Sequence, residues 1–377
     1  MNRIKVGISV SLTGAYSVQG KESLRGVSLW ASDVNGEGGI YVMEYGKEVP
    51  VELVYFDDES SPDICRDNTK RLIYEEKVDI VLGPYSSSLT LTAAEAAEEH
   101  GVTIWNHGGA TDEIGDRGFT CLVSAITPAS RYSEGIIELV RALDPEAERI
   151  ASLTAEDSGF SRNIASGASR YGEKKGFRVK EFKFISGNRD FSRLLKGVKD
   201  FSPDIILAMG RAHDDLALVG QIIERKIRAK AIALVVASIK LFEDTLHHHA
   251  EGFISCSQWE SGIRIVPDIG PEPREFAAGF KSAYGIEPDY PAAQGYNIGL
   301  IVRKCIDEAG TLDDISLREI AKSAEFTTFY GLFKVDGKGS QTGHEMLVVQ
   351  WRNGEKVIVY PERYSEAGVH YPMEHTY

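Results

Sequence analysis

Cysteine is scarce in this chain. Its 377 residues include four, Cys65, Cys121, Cys256 and Cys305, with no C-x-x-C spacing. That is too few for a disulfide scaffold and wrongly spaced for a zinc site. Each reads as a buried free thiol, with a bridge between Cys121 and Cys256 left open. Long apolar runs are missing as well. None approaches the roughly 18 residues that a membrane helix needs, so direct membrane insertion is not expected. Basic charge is in deficit, with 42 Lys and Arg against 56 Asp and Glu and a formal net charge of -14. Nucleic acid is bound through clustered cations and is not expected as a partner. A small anionic ligand stays open, because it responds to the local field rather than to total charge.

Signatures of catalysis are also missing. There is no G-x-S-x-G elbow, and the nearest approach to a phosphate loop, Asp336–Ser340, lacks the upstream glycine. No G-x-G-x-x-G follows the first apolar run. His247, His248 and His249 are the one cluster that suggests a metal. Three consecutive residues point in different directions on a helix, so they read as a solvated helix end. No cofactor and no metal are expected. The N-terminus, Met1-Asn2-Arg3, passes straight into a strand-like run with no basic, apolar, small-residue leader. That fits a cytosolic protein or one whose leader has been removed.

What is present is length and rhythm. A single core stops growing near ~250–300 residues, so 377 residues imply two domains. Apolar strand, short turn and amphipathic helix repeat. "IKVGISVSL", "VPVELVYFDD", "DIVLGP" and "VTIWNH" read as strands with helices between them. Ser61-Pro62 opens one of these helices as cap and first-turn proline. The rhythm restarts with "RIASLTAE", "RVKEFKFIS", "DIILAMG" and "AIALVVAS", separated by helices near 163–175, 191–201 and 216–225. Helices return at 273–284, 292–309 and 317–324. Continuous apolar strands between helices imply parallel sheets covered on both faces. The C-terminal stretch, with Gly and Asn-Gly turns, suggests antiparallel strands. No low-complexity linker divides the halves, which argues for several crossings between them.

The strand ends carry the chemistry. In "LGPYSSSLT" three serines, Ser86, Ser87 and Ser88, follow a parallel strand and begin a helix. A helix N-terminus offers free N–H groups and a favourable dipole to an anion. The carboxyl edge of an open parallel sheet is also where ligands bind. These serines can cap the helix, hold a carboxylate, or do both. The next strand ends in "NHGGATDEI", where Gly108, Gly109 and Ala110 admit close approach to the backbone and Thr111 adds a hydroxyl. Two adjacent strand ends with donors and no catalytic partner make an anion cradle. Binding is the expectation, not turnover. A hydrolase would need a base near Ser87, and His107, the one histidine close in sequence, reads better as a pocket wall.

These segments, together with "YFDDESSP", "DFSRLLKGVKDFSPDIILAMG" and "GYNIGLIVRKCIDEAG", resemble in order and spacing the type I periplasmic solute-binding proteins of ABC importers. The branch is the one that binds leucine, isoleucine and valine. The resemblance covers essentially the whole chain. It implies an α/β fold of two Rossmann-like lobes with parallel sheets, joined by three hinge crossings and closing on a ligand in the cleft. The lobes would be 1–123 with 257–329, and 124–256 with 330–377. It further implies a periplasmic or extracellular location, a small carboxylate ligand and a membrane permease as partner. Residue by residue, Ser87 resembles the family's carboxylate-binding serine. Gly109, Ala110 and Thr111 resemble its backbone and hydroxyl ligands. Phe160 resembles the second-lobe aromatic that covers the ligand. Gln19 stands where an aromatic is frequent, with Tyr16 and Tyr85 as nearby wall residues.

Two departures bear on the ligand. The family's amino-acid binders place an acid after the strand matching "AIALVVAS", to hold the ammonium; here Ala237-Ser238-Ile239-Lys240 carries none. Arg211 in "MGRAHDD" stands where an aromatic is frequent, and it either clamps a carboxylate or pairs with Asp214 or Asp215 at the rim. Those acids, or Glu156 and Asp157, can also stand in for the missing ammonium partner. The ligand is therefore an amino acid or a related aromatic or keto carboxylate. The family's structural disulfide is absent, with Ser86 where one cysteine is expected. A ligand-sensing regulatory protein of the same fold is the alternative.

Overall fold

The computed structural model describes residues 2–374. The chain divides into two compact units, 1–128 with 264–345, and 129–263 with 346–377, so it passes from one to the other three times. The hairpin and turn around residues 325–341 belong to the first unit.

The first passage through unit 1 carries β1 (Ile4–Val10), α1 (Ser17–Gly36), β2 (Ile40–Val42), β3 (Lys47–Val49), β4 (Val51–Asp57), α2 (Pro62–Tyr74), β5 (Ile80–Leu82), α3 (Ser87–Glu99), β6 (Ile104–Asn106), α4 (Glu113–Asp116) and β7 (Leu122–Ser124). The sheet order β4-β1-β5-β6-β7 is parallel throughout. Strands β1, β5, β6 and β7 are buried along almost their whole length, which is why they read as unbroken apolar runs, whereas the edge strand β4 is fully buried only at Val51.

Unit 2 follows with α5 (Glu134–Leu143), β8 (Arg149–Ala155), α6 (Gly159–Lys174), β9 (Arg178–Phe184), α7 (Ser192–Phe201), β10 (Ile205–Met209), α8 (Ala212–Glu224), β11 (Ala231–Leu234), α9 (Lys240–Leu246) and β12 (Ile254–Ser257). The chain returns to unit 1 for α10 (Pro273–Tyr284), α11 (Tyr290–Ala309), α12 (Asp314–Ser323) and the antiparallel pair β13 (Glu325–Thr328) and β14 (Gly331–Lys334). It ends in unit 2 with β15 (Leu347–Arg352) and β16 (Glu355–Tyr360). These add antiparallel strands to a seven-stranded sheet, β16-β15-β12-β11-β10-β8-β9. The Asn353-Gly354 turn between them has both residues at positive φ, as the sequence expected of an Asn-Gly hairpin.

Several helices start about a turn earlier than apolar spacing suggested. Ser158 accepts a hydrogen bond from Ser161 N, Asp289 from Tyr290 N and Asp313 from Ser316 N. The apolar stripe begins only after such a polar cap. The expected strand "AIALVVAS" is cut short. It pairs over Ala231–Leu234 and then tightens into a 3-10 turn over Val235–Ser238.

That turn is held by a buried acid. The two oxygens of Asp215 accept from Gly210 N at 2.7 Å and from Val236 N at 3.5 Å, joining the ends of β10 and β11. Asp214 accepts from Gly187 N at 2.7 Å, beyond β9. Both acids are almost fully buried, at 1% and 0% exposure for Asp214 and Asp215. Desolvation raises the Asp215 carboxyl to about 8 against the pull of its two N–H donors, and the Asp214 charge adds to the rise.

In unit 1 the closest packing is between α1 and α11, through glycine. A Cβ at Gly26 would sit 2.0 Å from Ala292 O, and one at Gly295 would sit 2.2 Å from Ser23 O. Gly299 admits the Trp30 ring. Gly26→Ala should cost about 1–3 kcal/mol, because backbone on the facing helix cannot yield as a flexible side chain can. Gly36→Ala, on the same helix with no atom within 4 Å of the added carbon, should be neutral or slightly stabilising. Melting temperatures of the two variants check the contrast.

The raised carboxyl makes a second expectation. Its contribution is intact below the ordinary Asp value near 4 and is lost as pH rises through about 8. Relative to Asp215→Asn, the wild type should lose stability across that window in denaturation at stepped pH. Parallel profiles would show that Asp215 is ionised at low pH as in an unfolded chain.

Candidate functional site

The site is assembled where β5 and β6 end side by side. Beyond the paired strands a further bridge joins Tyr85 to Gly108, and Ser86 N donates to Gly108 O at 3.2 Å. The approach is so close that a Cβ at Gly108 would lie 2.7 Å from Pro84 O and from Tyr85 Cα. The sequence expected a small residue here to admit a ligand; what Gly108 admits is the Pro84–Tyr85 backbone.

The three serines have three different roles. Ser86, at φ 90° and ψ 148°, is the cap of α3, and its Oγ accepts from Leu89 N at 3.4 Å. That backbone region is close to one used almost only by glycine, and such strain gathers at functional sites. Ser88 is exposed and lies 3.3 Å, oxygen to oxygen, from Ser86. Ser87 is the first residue of α3, and its Oγ accepts from Thr111 N at 3.1 Å. An acceptor hydroxyl still has its own proton to donate. It points that proton from a helix N-terminus, where a negative charge is stabilised.

Asn106 fixes the loop that reaches Ser87. Its Oδ1 accepts from Gly109 N at 2.8 Å and Gly108 N at 3.2 Å, while its Nδ2 donates to Gly109 O and to Ser124 Oγ, each at 2.8 Å. Gly109 has no room for a side chain, since its Cβ would meet Thr90 at 2.5 Å. Ala110 and Thr111 are buried. The sequence reading passed over Asn106. A strand-end Asn before two glycines is a known side-chain turn former, which was the available signal.

An aromatic wall stands beside the cradle. The Tyr16 and Tyr85 rings are 6.4 Å apart, and the Tyr85 ring is 6.4 Å from that of Tyr290. The Tyr85 and Tyr290 hydroxyls are hydrogen-bonded to each other. Tyr290, from the start of α11, is 205 residues away in sequence and was not foreseen. Gln19 lies half-buried in the first turn of α1. His107 is 1% exposed, with Nε2 2.6 Å from Ser23 Oγ, and burial lowers its pKa to about 4. It is a neutral tie between β6 and α1, and a Ser–His pair sealed in this way cannot reach a substrate.

Unit 2 carries the other expected residues. Phe160 is the second residue of α6, and its ring meets Tyr132 edge-on at 5.5 Å. The Tyr132 hydroxyl accepts from Gln258 Nε2 at 2.8 Å. Arg211 is exposed at the cap position of α8, and its side chain makes no capping bond. The rim pairing with Asp214 or Asp215 is not what those acids do, since both are turned to backbone N–H groups. The Asp157 carboxyl, held low chiefly by the N–H and hydroxyl of Ser186, also feels the Arg211 charge. All four cysteines are free and buried, so Cys121 and Cys256 are not bridged. Among the described residues no helix is long and apolar enough to cross a membrane.

Known proteins give this arrangement a context. A family model described as periplasmic binding protein matches residues 3–356. A Leu/Ile/Val-binding protein homolog 7 of Brucella abortus (strain 2308) is 24% identical, over 98% of this chain and 94% of that one. The crystal structure of a leucine-binding protein from Thermotoga maritima MSB8 superposes with a TM-score of 0.79 at 21% identity, over 94% of this chain and 97% of that one. A solute-binding protein of an ABC transporter from R. palustris, solved with benzoate, gives 0.75 at 19% identity over 99% and 98%. Two α/β units threaded three times, with nearly the whole length matched, place the chain in the periplasmic binding protein family.

Proposed function

We propose that this chain is the solute-binding component of an ABC importer, that it works outside the cytoplasm, and that it delivers a small carboxylate to a membrane permease. The observation that carries the reading is the Ser87–Thr111 contact. A hydroxyl that accepts from one strand end, at a helix N-terminus on the next, retains one proton to donate to an anion. Members of the family bind and release rather than transform, and among the described residues no histidine is hydrogen-bonded to Ser87 to activate it as a nucleophile. Gly109, Ala110 and Thr111 complete the cradle. Tyr16, Tyr85 and Gln19 line it, with His107 behind. Phe160 and Arg211 are the contacts proposed for unit 2.

The ligand class stays between two chemistries that relatives display. The Thermotoga maritima neighbour is a leucine-binding protein, whereas the R. palustris one was solved with benzoate. In unit 2 the residues after β11 offer no acid for an ammonium group, and Asp214 and Asp215 are buried, with Asp215 bonded to backbone through both oxygens and Asp214 through one. That favours a carboxylate without an α-amino group.

A thermal-shift screen of aliphatic amino acids, aromatic amino acids, keto acids and aromatic acids tests the class. A ligand at ~100 times its Kd should add about 2.7 kcal/mol of stability. Ser87→Ala should weaken binding of the best ligand by about 1.5–3 kcal/mol, the worth of a hydrogen bond to a charged group, as read by calorimetric titration. Unchanged affinity would take Ser87 out of the site. Arg211→Ala should change which acids bind. If it moves only the melting temperature of the free protein, Arg211 is a surface residue and not a ligand contact.

A further inference from the structure

Unit 1 holds a cavity of about 780 Å³ between the second half of α1, the middle of α11 and the turn before α10. That is the size of an ordinary small-molecule site, ~300–1,000 Å³. It shares no residue with the Ser87 cradle, and Trp30, its first lining residue on α1, lies about 16 Å along the helix from Gln19. Leu300, at 5% exposure, lines it together with the half-buried Ile269 and Pro271. A Cβ at Gly270 would sit 2.5 Å from Leu300 Cδ1, so the turn lies directly on that leucine.

The charges around the cavity do not balance. Three acids, Asp33, Glu37 and Asp307, line it with two bases, Arg303 and Lys304. Arg303 pairs with Glu37 at 2.7 Å, and Lys304 pairs at 3.0 Å with Glu308, outside the lining. Asp307 meets Arg303 Nε only at 4.0 Å. Asp33 is in no ion pair among the described residues; its Oδ2 accepts from the Tyr296 hydroxyl at 2.8 Å. Burial and the Asp33 carboxylate push that phenol up, so it stays protonated and donates. One oxygen of Asp33 is thus taken by a neutral donor, and no cation meets the other.

Trp30 adds an unmet donor. It is 1% exposed, and its ring lies on Gly299, where a Cβ would come within 2.2 Å of Cδ2. Its Nε1 has no acceptor among the described residues. Leaving a buried N–H unpaired is costly. Trp30 and Asp33 stand three residues apart, so they are neighbours on one face of α1.

These features narrow the ligand. An anion would be repelled by Asp33 and Asp307. Among the described residues no group of three His, Cys, Asp or Glu is placed to hold a metal ion, so the cation that fits is organic. A plain alkylamine would leave the indole N–H unpaired, whereas a neutral oxygen a few atoms from the ammonium would satisfy it. We infer that this cavity is a second ligand site, for a small organic ammonium ion that carries a neutral oxygen acceptor and an apolar side chain. Asp33 holds the ammonium, Trp30 Nε1 donates to the oxygen, and the side chain lies against Leu300, Ile269 and Pro271. Amino amides and amino alcohols are the matching class.

Calorimetric titration of the full chain with phenylalaninamide tests this, beside hydrocinnamamide, which lacks the ammonium, and phenethylamine, which lacks the oxygen. None of the three carries a carboxylate for the Ser87 cradle. The expected result is that phenylalaninamide binds at one site and that each deletion weakens binding at least about tenfold. Asp33→Asn should weaken phenylalaninamide by a similar factor, and Ser87→Ala should leave it unchanged. Asp33 is exposed at the rim, and the melting temperature of its variant checks that the fold is retained. No saturable binding of phenylalaninamide at millimolar concentration overturns the inference. So does an affinity that Asp33→Asn does not move, or one that phenethylamine equals. Binding abolished by Ser87→Ala would place the amide in the cradle and overturn the second site, yet leave the solute-binding reading standing.

Discussion

The loop after β6 depends on one buried amide. Tight backbone at a strand end leaves its own N–H groups off the ladder, yet buried backbone cannot remain unpaired. Asn106 reconciles the two demands. Its side chain takes the N–H groups of Gly108 and Gly109 and returns a donor to Gly109 O, so the tight loop is satisfied from within. A fourth bond to Ser124 ties the same amide to β7. With the loop closed in this way, the N–H of Thr111 is carried onto Ser87. An aspartate would supply the acceptors but not the donors, and a leucine would supply neither.

The same economy of donors separates the two units. In unit 1 the strand ends after β5 and β6 are neutral, rich in glycine and hydroxyls, and held by amide and serine groups. In unit 2 the strand ends after β9, β10 and β11 are gathered by two buried acids, Asp214 and Asp215. Those carboxylates fix the backbone around Arg211 without neutralising it by an ion pair. One unit thus gathers neutral dipoles at its strand ends and the other carries an exposed cation at the cap of α8. Both kinds of group favour an anion, although the chain as a whole is strongly acidic.

Much of the fold was legible in the sequence because parallel strands buried on both faces leave unbroken apolar runs. The strand-end serines and the Gly-Gly-Ala-Thr segment were legible because close approach and helix capping restrict residue type locally. What escaped is what depends on distance along the chain. Tyr290 meets Tyr85 across 205 residues, and Ser23 meets His107 across 84. No local pattern marks either pair. Val235–Ser238 looked like strand because Val235 and Val236 are apolar and β-branched, yet Asp215 draws Val236 N out of the ladder. Tertiary demand overrode propensity there.

The run of serines shows why composition alone could not separate capping from binding. Successive residues at a helix start diverge by about 100°, so three adjacent hydroxyls cannot share one task. Ser86 turns inward and caps, at a backbone conformation that an ordinary residue avoids. Ser88 turns to solvent. Ser87 is left facing Thr111. The strained conformation of Ser86 sets this phase. Were Ser86 in a regular helical conformation, α3 would start one residue earlier, and the hydroxyl presented to the β6 loop would no longer be that of Ser87. Backbone strain at the cap and the facing of the Ser87 hydroxyl toward the β6 loop are therefore one property of the turn after β5.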